Sequence, residues 1–136
     1  MSYNYIITFW LYTSGNLATK NKYTDKELAE FEGIINVKMD KALEQLDYYM
    51  KQIKVLADSP EAKVRGLDDG IGTMENERLY TMASRQRKLI HHLESARLRI
   101  GNKTYGICRE SGNLISKARL KAVPHATLSI EAKQKR

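Results

Sequence analysis

Cysteine is nearly absent from this sequence of 136 residues, in which Cys108 is the only one. A single thiol cannot form an intramolecular disulfide, and it cannot by itself build a cysteine-based zinc site. We therefore expect a protein of the reducing cytoplasm. The length suits one structural unit with an appendage, because two full hydrophobic cores would need a longer chain.

Long hydrophobic runs are also missing. The apolar run Tyr5–Tyr12 is far shorter than the roughly 18 residues that cross a bilayer, so we predict no membrane segment. No Lys or Arg occurs before Lys20, which argues against a signal peptide with its basic first region. We interpret residues 1–22 as an N-terminal extension and expect either disorder or one added strand there.

No arrangement of residues typical of catalysis is present. The histidines are His91, His92 and His125, and the first two are adjacent on a predicted helix, where neighbouring side chains point in different directions. Solvated or interfacial histidines are the commoner case. The glycines cluster in a polar connector instead of forming a phosphate-binding loop after a strand. We predict that the protein is not an enzyme, with no catalytic residues and no metal.

Acidic residues are scarce in the second part of the chain. Residues 1–84 hold 10 basic and 13 acidic residues, whereas residues 85–136 hold 13 basic and 3 acidic ones, giving net charges of −3 and +10. Such a basic end favours an acidic partner, either nucleic acid or an acidic protein surface. Tyr105 is the only aromatic residue of this part, so a stacking platform for bases is not supported, although phosphate contact stays open.

A long helix is predicted from Asp25, because Thr24 and Glu27 have the spacing of a capping box. Apolar residues then follow a heptad pattern that needs a partner helix. They are Leu28, Ile35, Ala42, Tyr49 and Leu56 in one register and Met39, Leu46 and Ile53 in the other.

A second helix carries a matching apolar pattern. Its positions are Leu79, Gln86, Leu93 and Ile100 in one register and Met82, Leu89 and Ala96 in the other. The connector Ala57–Thr73 contains one proline and three glycines, so we expect the two helices to pair antiparallel within one chain. We predict a hairpin over residues 23–100 in a monomer. Pairing between chains, as in an oligomeric coiled coil, is the alternative.

The last part of the chain, residues 101–136, predicts a small head and a basic tail. The segments "KTYGIC" and "NLIS" flank the turn "RESG" and indicate a β-hairpin, and a short helix capped by Ser116 should end before Pro124. The tail from Ala126 offers one more apolar alternation and should then fray. The fold class is mainly α, with a long antiparallel coiled-coil hairpin and a small α/β head.

The stretch Arg85–Ile130 contains a dense set of motif residues, which are Tyr105, Gly106, Cys108, Gly112, Ile115, Arg119, Leu120, Pro124 and Ala126. In these residues the stretch resembles the TraR/DksA family of zinc-finger transcription factors. The resemblance implies a bacterial regulator that binds RNA polymerase directly, without DNA binding of its own, and inserts its coiled-coil tip into the secondary channel. A basic nucleic-acid-binding protein, or a coiled-coil interaction protein, is the alternative.

At the tip, the resemblance implies that Asp68 faces the polymerase active site, with Asp69 and Gly70 beside it. The family motif Asp-x-x-Asp-x-Ala is matched only at its second aspartate, because Arg65 and Gly70 stand where an aspartate and an alanine would be. We expect Asp69 to supply the second negative charge. Taken without the resemblance, adjacent carboxylates in a loop are most often solvated turn residues.

The resemblance places the four zinc-ligand positions of the family at Cys108, Ser111, Ser129 and Ala132. Neither a serine hydroxyl nor an alanine replaces a zinc-bound thiolate, so we expect a zinc-ribbon-like head that has lost its zinc and is held by packing. The packing candidates are Ile107, Leu114, Ile115, Leu120, Val123, Leu128 and Ile130.

The family also binds the nucleotide ppGpp, an effector of the stringent response, between the factor and the polymerase. The resemblance places the basic ppGpp contacts at His92, Val123 and Lys133, and of these Lys133 alone keeps a fixed positive charge. Leu89 and His92 are further candidates for polymerase or ppGpp contact. We expect a weak ppGpp response or none.

Overall fold

Four helices make up most of the described chain. The computed structural model describes residues 21–58 and 70–136, with side chains of the second range described from residue 74 onward. Helix α1 is Asp25–Asp58, α2 is Gly70–Gly101, α3 is Lys117–Ala122 and α4 is Ile130–Gln134. No helix of the described part combines the length and apolar character needed to cross a membrane. The predicted extension at residues 1–22 lies, except for Asn21 and Lys22, outside the described residues.

Helix α1 starts at the predicted capping box. The Glu27 N–H donates to the Thr24 hydroxyl at 3.3 Å, and the Thr24 N–H donates to the Glu27 carboxylate, also at 3.3 Å. This reciprocal pair satisfies two backbone donors that have no partner inside the helix. The prediction of a helix start at Asp25 is therefore confirmed.

The chain divides into two compact units, and the first of them, which we call the hairpin unit, is Glu32–Leu98. In this unit, Ile53 of α1 buries against Leu79 and Ala83 of α2. Nearer the other ends of the helices, an Arg97 nitrogen lies 3.5 Å from the Met39 sulfur. Residues later in the sequence of α1 thus contact residues earlier in the sequence of α2. The helices therefore pair antiparallel within one chain, as predicted.

The predicted apolar seam is buried or half-buried at every one of its positions within the hairpin unit. Ile35, Leu93 and Ala96 are completely shielded from solvent. Ala83 is equally buried although it lies outside the predicted registers. The helices also extend further into the connector than predicted, since Ala57 and Asp58 are helical and α2 begins at Gly70. Glycine costs only about 1 kcal/mol in a helix, so Gly70 and Gly72 do not prevent it.

The second unit, which we call the head unit, contains Met1–Phe31 and Arg99–Arg136, described from residue 21. Three aromatic rings pack together in its core. Phe31 packs edge-on against Tyr23, with 5.1 Å between ring centroids, and in a tilted arrangement against Tyr105, with 5.3 Å between ring centroids. Both phenols are satisfied by backbone carbonyls. The Tyr105 hydroxyl donates to Pro124 O at 2.7 Å, and the Tyr23 hydroxyl donates to Ile115 O.

The prediction of a β-hairpin with two strands is wrong, because fewer residues pair than expected. Within the described residues the pairing amounts to one antiparallel bridge between Ile107 and Leu114, and no strand is formed. Few residues are available for pairing, because the turn closes with a hydrogen bond from the Cys108 N–H to Asn113 O at 2.8 Å. Ser116 then already caps α3, accepting from the Arg119 N–H at 3.3 Å, as predicted for this residue.

The predicted fraying tail is also wrong. Ser129 caps a further helix, α4, because its hydroxyl accepts a hydrogen bond from the Ala132 N–H at 3.2 Å. The cap satisfies a backbone donor of the first turn and makes a five-residue helix possible. Among the predicted packing residues, Ile115 and Leu120 are completely buried, whereas Ile130 is exposed because it points away from the core on α4.

Candidate functional site

The thiol of Cys108 lies at the centre of a small polar cluster in the head unit. Its exposed fraction is 1%, and it is the only cysteine of the chain. The turn that follows it brings Ser111 close, and the cap of α4 brings Ser129 close. The structure thus brings together three of the four sequence positions that the family resemblance singles out, and Ala132 follows in the first turn of α4.

Hydrogen bonds to its sulfur set the acidity of the Cys108 thiol. Burial raises its pKa, but donation from the Ser111 hydroxyl and from backbone N–H groups near Glu110, Ser111 and Ser129 outweighs burial. The pKa falls to about 6 from its ordinary value of 9.0. The thiolate is favoured because each donor stabilises the charged form, so the sulfur is mainly anionic at neutral pH.

The donor set around Cys108 does not fit a structural zinc ion. Zinc of this kind takes four cysteine or histidine ligands, whereas the cluster offers one thiol and two hydroxyls, and Ala132 has no donor atom. Both hydroxyls are already engaged by backbone donors, Ser111 by the Asn113 N–H and Ser129 by the Ala132 N–H. The described residues contain no group of three or more His, Cys, Asp or Glu side chains that could hold a metal ion.

A shallow cavity of about 330 Å³ opens beside this cluster. It is lined by Glu110, Ser111, Asn113, Leu114, Ser129, Glu131, Ala132 and Lys135. The lining mixes two carboxylates with one amine and lacks a histidine or a second thiol. Nothing in this lining adds a thiolate or an imidazole, the ligands of structural zinc sites.

The predicted tip residues Asp68 and Asp69 lie outside the described residues, and Gly70 is the first residue of α2. Of the residues predicted to contact polymerase or ppGpp, Leu89 is half-buried and His92 is exposed, both in the hairpin unit. Lys133 is exposed on α4 of the head unit. Their roles stay predictions.

The sequence interpretation missed the aromatic core of the head unit. Tyr23 and Phe31 stand at the start of α1, outside the heptad registers, and they pack with Tyr105 from the far end of the chain. Two aromatic residues on either side of a capping box were a usable signal, since aromatic side chains dominate the energetics of small cores. The position of a third ring, so much further along the chain, has no local signature in the sequence.

A family model matches the head of this chain. It describes a prokaryotic dksA/traR C4-type zinc finger and covers residues 103–136. The match includes the turn around Cys108 and helix α4. The name "C4" implies four cysteines, and this chain has one of them.

Two curated relatives and one solved structure also show similarity to DksA-type proteins. The chain is 47% identical over 51 residues to the RNA polymerase-binding transcription factor DksA of two Caulobacter vibrioides strains, NA1000/CB15N and ATCC 19089/CB 15. That segment is 38% of this chain and 36% of the length of those relatives. The structure of the transcription factor DksA2 from Pseudomonas aeruginosa superposes with a TM-score of 0.73 at 22% identity, covering 81% of this chain and 82% of that one.

The described fold combines an antiparallel pair of long helices in one unit with a tight turn and two short capped helices in the other. The solved structure establishes this fold, and the family model and the 47% identical segment add the sequence evidence. Residues 103–136 thus match the family model of the dksA/traR C4-type zinc finger, and the fold resembles that of DksA2.

Proposed function

We propose that this protein is a bacterial transcription regulator that binds RNA polymerase directly and inserts the connector between α1 and α2 into the secondary channel. The observation that carries the proposal is the antiparallel pairing of the two helices, in which Ile53 buries against Leu79 and Ala83. Because α1 ends at Asp58 and α2 begins at Gly70, residues 59–69 connect the two paired helices in the sequence. The names of the relatives, which are RNA polymerase-binding factors, support the same partner.

The acidic connector residues supply the effect on transcription in this proposal. Asp68 faces the polymerase active site, Asp69 adds a second negative charge, and Gly70 stands beside them. The regulator contributes no catalytic group of its own, and the polymerase carries out the chemistry. It works in the cytoplasm as a monomer whose seam is already filled within one chain.

The role of Asp68 is tested by transcription with purified polymerase. We expect Asp68→Asn to abolish the effect of the protein on transcript yield while leaving its affinity for polymerase almost unchanged. Asp58→Asn is the matched control, since it removes the same charge from an exposed position at the end of α1. Equal effects of the two substitutions, or full activity of Asp68→Asn, would overturn this role.

The head is metal-free in this proposal, and its folding relies on packing instead of zinc. In zinc-finger peptides, the metal supplies on the order of 10 kcal/mol of folding free energy. Buried groups such as Tyr105 and Ile115 replace part of it, at about 1.5–3 kcal/mol for each large apolar side chain before the entropy cost of ordering.

The metal content of the purified protein tests this part of the proposal. We expect almost no zinc by elemental analysis, far below one equivalent, and an unchanged circular dichroism spectrum after treatment with a chelator. One equivalent of zinc, or unfolding on chelation, would contradict a metal-free head.

The same reasoning predicts little response to ppGpp. Of the positions that the family uses, Lys133 is exposed on α4 and keeps a fixed charge, whereas Val123 has none. A single lysine gives a phosphate-rich nucleotide only a modest share of the attraction that several cations together would provide.

A further inference from the structure

The antiparallel bridge of the head unit consists of a single pair of residues, and its outer edges are available for a further strand. Ile107 and Leu114 face each other across the bridge. The two hydrogen bonds of the ladder flank this pair and are donated by the Cys108 N–H at 2.8 Å and the Ile115 N–H at 2.7 Å. In a pair of this kind, the N–H and C=O groups of the two facing residues point outward, away from each other.

Of the two edges, the one at Ile107 is covered and the one at Leu114 is open. Two residues after Ile107, on the same edge, the Arg109 N–H donates to Thr127 O at 3.0 Å. The N–H and C=O of Leu114, in contrast, make no hydrogen bond within the described residues. The cavity of about 330 Å³ is lined by Leu114 and by Ala132 of α4, so there is space beside this edge. An open edge of this kind is a surface to which an extended segment adds as a strand.

The run Tyr5–Tyr12 has the composition of such a strand. Seven of its eight residues are apolar or aromatic, the exception is Thr8, and none is charged. Its β-branched and aromatic residues are the types enriched in strands. An uncharged apolar run in water promotes aggregation, and so does an unpaired edge, so pairing of the run with the edge removes both weaknesses.

The start of α1 brings this run within reach of the open edge. The Tyr23 hydroxyl donates to the carbonyl of Ile115, the residue that follows Leu114. Ten residues lie between Tyr12 and Tyr23, and this length of extended chain spans up to roughly 36 Å. The run can therefore reach the edge within its own chain.

We propose that the run Tyr5–Tyr12 docks on the Leu114 edge of the head unit as an added β-strand of the same chain. The Leu114 N–H and C=O hold the run through main-chain hydrogen bonds, and apolar side chains on one face of the run cover the half-buried Leu114. Of the two expectations for residues 1–22, the proposal selects the added strand. It concerns a surface other than the connector proposed to enter the polymerase.

Hydrogen exchange of the Leu114 amide, measured by NMR on the full chain, tests the edge. The double substitution Ile7→Pro/Thr8→Pro removes the N–H groups of two adjacent residues, one of which faces the edge in either register. We expect the Leu114 amide to exchange roughly tenfold faster or more in this variant. The Cys108 amide, which donates to Asn113 O inside the turn, should exchange at the same rate in both proteins and shows that the head stays folded.

Trp10 tests the run itself, because it is the only tryptophan of the chain. Its fluorescence anisotropy reports motion on the nanosecond timescale, so it should be high while the run moves with the head unit and should fall in Ile7→Pro/Thr8→Pro. The matched control is Leu17→Pro/Ala18→Pro, which places two adjacent prolines outside the run. This control should leave both the anisotropy and the exchange of the Leu114 amide at their wild-type values.

Three results would overturn the proposal. The first is equal exchange of the Leu114 amide in the wild-type chain and in Ile7→Pro/Thr8→Pro. The second is high anisotropy of Trp10 without protection of the Leu114 amide, which would place the run on another surface. The third is protection that disappears on dilution, which would show that the edge pairs with the run of a second copy and not with that of its own chain.

Discussion

At Gly106 the head unit has no room for a side chain. Its φ of +81° lies in the left-handed region, and a Cβ added there would lie 2.5 Å from two atoms of the Tyr23 ring. That ring cannot move away easily, because Phe31 packs against it and its hydroxyl donates to Ile115 O. Both the backbone conformation and the close approach therefore require glycine.

Substitution at two glycines separates these two causes. Gly112 has a φ of +71°, but a Cβ added there would meet no atom within 4 Å, so Gly112→Ala should cost only the backbone strain of about 1–2 kcal/mol. Gly106→Ala should cost about 1–3 kcal/mol more from overpacking against Tyr23. Urea unfolding followed by near-ultraviolet circular dichroism of the tyrosines measures both. Equal losses would mean that the contact with Tyr23 is unimportant.

The acidity of Cys108 predicts how the head responds to pH. Its folded pKa of about 6 lies below the ordinary 9.0, so the unfolded chain binds the proton more tightly than the folded chain does. Stability should therefore rise as the pH increases from about 6 to about 9, and this contribution should be lost as the pH falls towards 6. Cys108→Ala should remove this rise from the pH dependence of the unfolding free energy.

Thiolate absorbance in the ultraviolet gives the pKa itself. We expect a midpoint near pH 6 in the wild-type chain and a higher one in Ser111→Ala, because that substitution removes the hydroxyl donor to sulfur. Ser116→Ala, which removes a hydroxyl that caps α3, is the control and should not move the midpoint. A wild-type midpoint near the ordinary value of 9.0 would contradict the hydrogen-bonded thiolate.

Among the elements, the two long helices were predictable from the sequence and the small ones less so. Heptad spacing identifies α1 and α2 because each turn of a long helix repeats the same apolar signal. The bridge between Ile107 and Leu114 and the helix after Ser129 are too short for any repeat. Their extent depends on contacts with distant residues, such as the bond from the Arg109 N–H to Thr127 O at 3.0 Å.

The candidate site was predictable as a set of positions but not as a chemical environment. Spacing and resemblance singled out Cys108, Ser111 and Ser129, and the structure places them around one sulfur. The pKa of that sulfur is lowered by the Ser111 hydroxyl and, in addition, by backbone N–H groups. Every residue except proline carries a backbone N–H, so the second contribution has no signature in the sequence. The aromatic packing around Phe31 was missed for a related reason, since its third ring is supplied by the far end of the chain.

The seam between α1 and α2 can be tested with two leucines of the same helix. Leu93 is completely buried, so Leu93→Ala should lower the unfolding free energy by about 2–5 kcal/mol. Leu98 is 70% exposed, and Leu98→Ala should change it by no more than about 0.5 kcal/mol. Thermal unfolding followed by far-ultraviolet circular dichroism compares the two. Similar losses at both positions would argue against the seam as described.

At the level of the whole molecule, the charge is distributed unevenly along the sequence. Residues 85–136 carry a net charge of +10, whereas residues 1–84 carry −3. We place the proposed function on the connector, which is proposed to enter the polymerase.

Direct binding to purified bacterial RNA polymerase is the measurement that tests the central proposal most directly. We predict that the full chain binds polymerase, that Asp68→Asn binds nearly as well, and that deletion of the segment from Ser59 to Gly72 lowers the affinity by roughly tenfold or more, equivalent to about 1.4 kcal/mol or more of binding free energy. The deletion variant must keep its helical circular dichroism, so that lost binding reports the connector and not unfolding. Absence of binding by the wild-type chain, or unchanged affinity in a folded deletion variant, would contradict the account.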